Sequence, residues 1–349
     1  MSTDSSTVTS IAGDDFHING EATYPGRSWR GMRIEGLLMN ARFVQATFDD
    51  LNPETRSRWD YPDGRRWDAE ANTRDFLAMM PSWRRAGLLG FTFNLQGGSP
   101  LGYSKHQPWH NSAFTETGEL RDDYMQRVAR VLDEADRLGM TPILGLFYFG
   151  QDQRLRDEAA VIRGVENAVD WLLERGDRHV LIEIANEANI NYDHEIILAD
   201  RVHELVELVH QRSSGKLDTP AGRLLAGASM SGGAIPPDTL IAASDFLLLH
   251  GNGVGEPDRI RGMVDECRDR PTYRGQPVLF NEDDHEGFEQ PDNNLLAAVS
   301  RHASWGHFDY RREGEPFEAG YQSVPTDWTT SHPRKQGLFR LLSEITSGG

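Results

Sequence analysis

Residues 179–189 read His-Val-Leu-Ile-Glu-Ile-Ala-Asn-Glu-Ala-Asn, an apolar run that ends in the polar pair Asn186-Glu187. The run has the length and composition of a buried strand, and it delivers a carboxylate to that strand's carboxyl end. Residues 277–285, Pro-Val-Leu-Phe-Asn-Glu-Asp-Asp-His, repeat the design 95 positions later, with Glu282 in the matching place. Two acids, each at the tip of its own buried strand, are what hydrolysis of a glycosidic bond requires.

The remainder of the chain alternates apolar strand with amphipathic helix. Strands are expected near residues 36–42, 88–95, 142–148, 180–186, 224–229, 245–250, 277–281 and 305–310. Helices are expected near 72–86, 122–138, 158–175, 200–212 and 337–345. In the second of these, Val128, Val131, Leu132 and Ala135 follow helical spacing. Eight strands with helical segments between them predict a (β/α)8 TIM barrel. A doubly wound sheet would need a glycine-rich phosphate turn after the first strand, where this chain has Asn40-Ala41-Arg42. Asn19-Gly20, between short β-prone runs, predicts a small N-terminal β-hairpin. The reading is a flexible tail over residues 1–15 and a single catalytic domain over 16–349.

A formal charge of −18 disfavours nucleic acid and anionic membrane surfaces, which would repel the chain. It suits a neutral partner such as a saccharide or glycoside. One cysteine, Cys267, rules out an intrachain disulfide and a thiolate metal cluster. No cofactor is expected. No apolar run approaches the roughly 18 residues of a membrane span, and the first residues lack the basic and apolar regions of a secretory signal, so cytoplasmic is the default expectation.

Parity along strand four places Glu183 inside the barrel and Glu187 at its rim, if Ile182 and Ile184 face the helices. A buried Glu183 needs a partner, and Arg42 on strand one is the candidate. Strands four and seven lie three steps apart, so Glu187 and Glu282 face each other across part of the mouth.

With Asn186-Glu187 ending strand four, Glu282 ending strand seven and Phe16-His-Ile-Asn-Gly-Glu21 opening the domain, the chain resembles the clan A glycoside hydrolases. These are retaining barrels that include cellulases, mannanases and β-glycosidases. The resemblance implies Glu187 as acid/base, Glu282 as nucleophile and Asn186 as the donor to a sugar 2-hydroxyl. His250, ending strand six, falls where such enzymes place a residue beside the nucleophile, and Asn281 precedes Glu282 on its strand. The chain departs from the pattern in having Ala188 after the Asn-Glu pair, Tyr148 where a histidine is frequent, and no arginine ending strand two, a place Arg42 can fill. The implied reaction is double displacement on a β-linked glucose- or mannose-like substrate.

Trp59, Tyr61, Trp67, Tyr103, Trp109, Tyr321 and Trp328 fall in the expected rim loops, where rings either stack on sugars or pin the loops. Trp109-His110-Asn111 and the segment ending at Trp328 are the best sugar-contact candidates, because they mix rings with amide or carboxyl groups. Long loops after strands one and two suggest a walled pocket more than an open cleft. Two alternatives remain: a metal-dependent barrel hydrolase using Asp283, Asp284, His285 and His250, and a saccharide-binding barrel without turnover.

Overall fold

The structure, a computed structural model, describes residues 6–102 and 106–347. Eight parallel strands run through the chain: β1 (Asn40–Ala41), β2 (Gly90–Asn94), β3 (Thr141–Tyr148), β4 (Leu181–Asn186), β5 (Leu225–Gly227), β6 (Leu247–His250), β7 (Val278–Glu282) and β8 (Gly306–His307). Ladders join β2 through β5 in order, β6 to β7, and β8 back to β1. Single parallel bridges join the other neighbours: Arg42 with Thr92, Ser229 with Leu248, and Leu279 with Ser304. The ring closes, as the alternating sequence predicts.

Each strand is followed by a helix: α1 (Ala69–Arg85), α2 (Asp122–Leu138), α3 (Glu158–Arg175), α4 (Val202–Ser213), α5 (Asp238–Ala243), α6 (Pro257–Arg268), α7 (Asn294–Ser300) and α8 (Pro333–Thr346). The sequence reading missed α5, α6 and α7. In α6 the signal was present, because Ile260, Met263, Val264 and Cys267 share one face and Pro257 stands in the first turn, where its missing N–H is harmless. α5 and α7 have only 6 and 7 residues, too short for a period to register.

The barrel interior changes character along its axis. At the amino-terminal ends of the strands, Leu38, Ile143, Leu181, Leu225, Leu248 and Leu279 form an apolar layer. One step up, the register sets Glu183 opposite Gly145 and Gly227. A side chain on Gly145 would collide with the Asn94 amide, so glycine is what lets polar side chains enter this layer. Ile182 and Ile184 face the helices, as parity requires.

The lower layer is sealed by an antiparallel sheet of Thr9–Ala12, Asp15–Ile18 and Glu21–Ala22. The expected hairpin is its second half, with Asn19 and Gly20 both at positive φ in the turn. Of the flexible tail expected over 1–15, Thr9–Ala12 and Asp15 belong to this sheet, and residues 1–5 lie outside the described residues. Thr9 donates its N–H to the Arg178 carbonyl at 3.0 Å, and its hydroxyl meets that of Thr141 at 2.7 Å. The Gly13-Asp14 stretch that reads as tail is the turn joining Thr9–Ala12 to Asp15–Ile18, in the first half of the sheet. Phe16, fully buried, plugs the barrel floor, a burial that contributes roughly 1.5–3 kcal/mol. Among the described residues, no helix is long and apolar enough to cross a membrane.

Candidate active site

The carboxyl ends of β1, β4, β5, β6 and β7 bring their polar residues to one point. Arg42, fully buried just after β1, is the hub. Its Nη1 lies 3.3 Å from Glu183 Oε2, and its Nη2 donates to Asn186 Oδ1 at 2.5 Å. Its Nε lies 2.6 Å from Glu282 Oε2, an ion pair whose N–H does not point along the contact. Glu183 has the partner expected of it. It also accepts from the Ser229 hydroxyl at 2.7 Å and from Asn281 Nδ2 at 3.1 Å, so four strands are tied through one carboxylate.

Glu187 follows β4 with φ at 55°, a left-handed conformation that costs a non-glycine residue roughly 1–3 kcal/mol. Its N–H donates to Ser229 Oγ at 3.0 Å, and the next N–H, of Ala188, donates to the Ser229 carbonyl at 2.9 Å. Ser229 thus pins the strained turn. The Glu187 Oε1 lies 3.1 Å from His250 Nδ1, which stands 3.7 Å from Glu282 Oε2. Oxygens of Glu187 and Glu282 and a ring nitrogen of His250 all fall within 4.8 Å of one another. Asn252 donates to Glu282 Oε1 at 2.5 Å. Glu187 Oε2 and Asn186 Nδ2 are buried yet make no hydrogen bond among the described residues. Groups left so at a cavity are available to a ligand.

The electrostatics follow from burying three carboxylates with one guanidinium. Burial opposes the charge of Arg42, but Glu282 and Glu183 outweigh it and raise its pKa further. Burial likewise opposes a charge on His250, and Glu282 and Glu187 overcome it, so its pKa rises above the usual value. Glu282 is pushed up by burial, while Arg42, His250 and Asn252 pull against that shift without cancelling it. Burial also pushes the Tyr148 hydroxyl well up, and the charge of Glu282 adds to it.

Of the residues expected from the sequence, Glu187, Glu282, Arg42, Asn186, His250, Asn281 and Tyr148 come together. Four others do not join them. Trp109 is buried edge-on against Trp59, and its carbonyl accepts from Gln151. Asn111 uses its side chain on the Gly97 carbonyl and the Asp49 N–H. His110 donates its backbone N–H to Asp50, and burial, with Arg154 nearby, lowers its pKa to about 4. Trp328 stacks on Tyr321 and donates to Asn72 inside the α1 interface. Trp59, Tyr61 and Trp67 form one cluster with Phe48 and Trp109, so these rings pin loops. Tyr103 lies outside the described residues. Ser229 and Asn252 were missed, although both stand at the carboxyl ends of their strands. That position was the signal that could have found them.

The expected metal set divides. Asp283, Asp284 and His285 cluster together, whereas His250 groups with Glu187 and Glu282. Asp283 is occupied: its oxygens accept from the Trp305 indole at 2.9 Å, from Asn294 at 3.0 Å and from the His285 N–H at 3.0 Å. At the other trio, Arg42 already supplies a cation to Glu282 and repels a second one. A cavity of about 250 Å³ opens at Glu187, Asn252, Asp284 and Tyr310. A larger groove of about 570 Å³, between Trp29, Phe288 and α8, does not include these carboxylates.

No family model and no curated protein matches the chain. Solved structures do. An endo-1,4-beta-mannanase from Rhizomucor miehei is similar over 97% of this chain and 99% of its own, with 11% identity and a TM-score of 0.62. A GH5-4 broad-specificity endoglucanase from Clostridium acetobutylicum is similar over 88% of this chain and 97% of its own, with 12% identity and a TM-score of 0.55. Against two structures from Bacteroides vulgatus, one of them described as glycoside hydrolase family 5, the chain spans 59% and 65% of their length at 13% identity and a TM-score of 0.53. What these likenesses establish is the architecture: the chain has the (β/α)8 fold found in the clan A glycoside hydrolases.

Proposed function

We propose that the protein is a retaining glycoside hydrolase acting on a β-linked glucose- or mannose-like saccharide or glycoside. The observation that carries this reading is the convergence of Glu187 and Glu282, from β4 and β7, with carboxylate oxygens within 4.8 Å of each other beside a cavity that Glu187 lines. Retention uses carboxyl groups about 5–5.5 Å apart, and inversion needs a wider gap for water. Glu282, held between Arg42 and Asn252, attacks the anomeric carbon. The bond to the leaving oxygen breaks as Glu187 gives that oxygen its proton. Water then attacks the glycosyl ester, Glu187 takes the water's proton, and Glu282 leaves as carboxylate. Asn186 Nδ2, which makes no hydrogen bond among the described residues, donates to the sugar's 2-hydroxyl.

Azide tests the assignment. In Glu282→Ala, turnover of an activated nitrophenyl glycoside should collapse, and azide should restore part of it with a glycosyl azide of inverted configuration. Absence of rescue, together with an inverted product from the wild type, would remove Glu282 from the role. The rival metal-dependent reading predicts instead that dialysis against chelator abolishes wild-type turnover.

A further inference from the structure

We infer that the loop after β5, residues 229–233, sets the separation between Glu187 and Glu282, although it supplies neither carboxylate. This rests on the glycosidase reading above and goes further, since it assigns positioning residues outside the catalytic pair. On one side the loop holds the acid's turn. Beyond the last ladder pair, Gly227 opposite Glu183, Ser229 accepts the Glu187 N–H on its hydroxyl at 3.0 Å and the Ala188 N–H on its carbonyl at 2.9 Å. Farther out, Asn189 and Ser231 exchange bonds. Ser231 donates its N–H to Asn189 Oδ1, and Asn189 Nδ2 donates to Ser231 Oγ, both at 2.8 Å. The strained backbone of Glu187 is thereby closed between two clasps, and a left-handed glutamate persists only where its surroundings fix it.

On its other side the loop meets the end of β6. Gly233 donates its N–H to the His250 carbonyl at 3.0 Å. A β-carbon on Gly232 would fall 2.0 Å from the Asn252 carbonyl oxygen, so only glycine lets the two segments touch. His250 lies 3.7 Å from Glu282 Oε2, and Asn252 donates to Glu282 Oε1. A shift at this contact therefore moves the groups that hold the nucleophile. The loop is anchored from the helix layer, where Arg259 of α6 donates to the Gly233 carbonyl at 3.1 Å. Acid and nucleophile thus meet at a distance set by one path, from Asn189 through residues 229–233 to Asn252. Displacing a reacting group by about 1 Å costs on the order of 100-fold in rate. The two ends of the path act on different groups: Asn189 on the proton donor, Gly232 on the holders of the nucleophile.

The test compares wild type with Asn189→Ala and Gly232→Ala on phenyl and 2,4-dinitrophenyl β-glycosides of glucose and mannose. Dinitrophenolate leaves without a proton, whereas phenolate needs the acid. Asn189→Ala should lose about tenfold in kcat/KM on the phenyl glycoside, a part of the roughly 10²–10⁴-fold that a general acid supplies, and stay near wild type on the dinitrophenyl glycoside. A misfolded fraction would lower both alike. An equal loss on both substrates, or a loss on neither, would overturn the inference. Gly232→Ala should slow covalent labelling of Glu282 by a 2-deoxy-2-fluoroglycoside by about tenfold or more, at unchanged final stoichiometry, which counts only folded sites. Labelling at the wild-type rate would overturn the inference too, and if this variant does not fold, Asn189→Ala decides alone. No turnover of any probe and no labelling in the wild type would instead overturn the glycosidase reading itself.

Discussion

Two carboxylates on neighbouring strands, the half-buried Asp245 just before β6 and the buried Glu282 at the end of β7, are treated in opposite ways. Asp245 lies at the amino-terminal end of the barrel and is saturated. It accepts from Arg223 at 2.7 and 2.8 Å, from His210 at 2.8 Å and from the Ala226 N–H at 2.9 Å. Burial works against its charge, but the Arg223 and His210 bonds outweigh it and hold its pKa down to about 2. Glu282, at the carboxyl end, has Arg42 off-axis and one amide bond, and burial wins. The barrel satisfies its carboxylate fully where the fold is stabilised and incompletely where a ligand is to complete the set. An active site gains from interactions made late in the reaction, and a group already saturated has none left to make.

The contrast can be broken at its hub. Arg42→Met should leave Glu183 and Glu282 buried without their cation, which destabilises by about 3–5 kcal/mol. The loss should shrink at acid pH, where the orphaned carboxyls can take protons. Urea denaturation at pH 7 and pH 5 reads both effects, and an unchanged midpoint at pH 7 would mean that Arg42 is not what balances the upper layer. Leu181→Ala sharpens the same contrast from below. It lies two residues from Glu183 on the same inward face, in the apolar floor. It should cost about 2–5 kcal/mol of stability and leave turnover per folded molecule unchanged. A changed rate at equal folded fraction would show that the two layers are not independent.

The sequence carried the architecture because each strand is an apolar run between turn signals, and closure follows from their number. It also carried much of the site. Parity alone placed Glu183 inward, and charge compensation then named Arg42. What failed was inference from residue type in loops. Trp109 and Trp328 looked like sugar platforms because rings suit both stacking on ligand and packing on protein. Their burial is decided by partners far away in sequence, such as Trp59 and Asn72. Asn252 was passed over for the converse reason. It sits in Gly251-Asn252-Gly253, which reads as a turn, and only the register of β6 against β7 brings it to Glu282.

The smallest expected effect belongs to the saturated end. Replacing Asp245 with Asn keeps its shape and removes its charge. A shift from 3.8 to about 2 is roughly two units, or on the order of 2 kcal/mol. Because the folded pKa is depressed, this stability is fully present above about pH 4 and is lost as pH falls towards 2. Asp245→Asn should therefore be about 2 kcal/mol less stable than wild type at pH 7, and the difference should close between pH 4 and pH 2. Urea midpoints for the two proteins across that range isolate the effect, since the other carboxylates titrate in both. A gap that persists at pH 2 would mean that Asp245 acts through shape and packing, and the comparison with Glu282 would then no longer be one of charge.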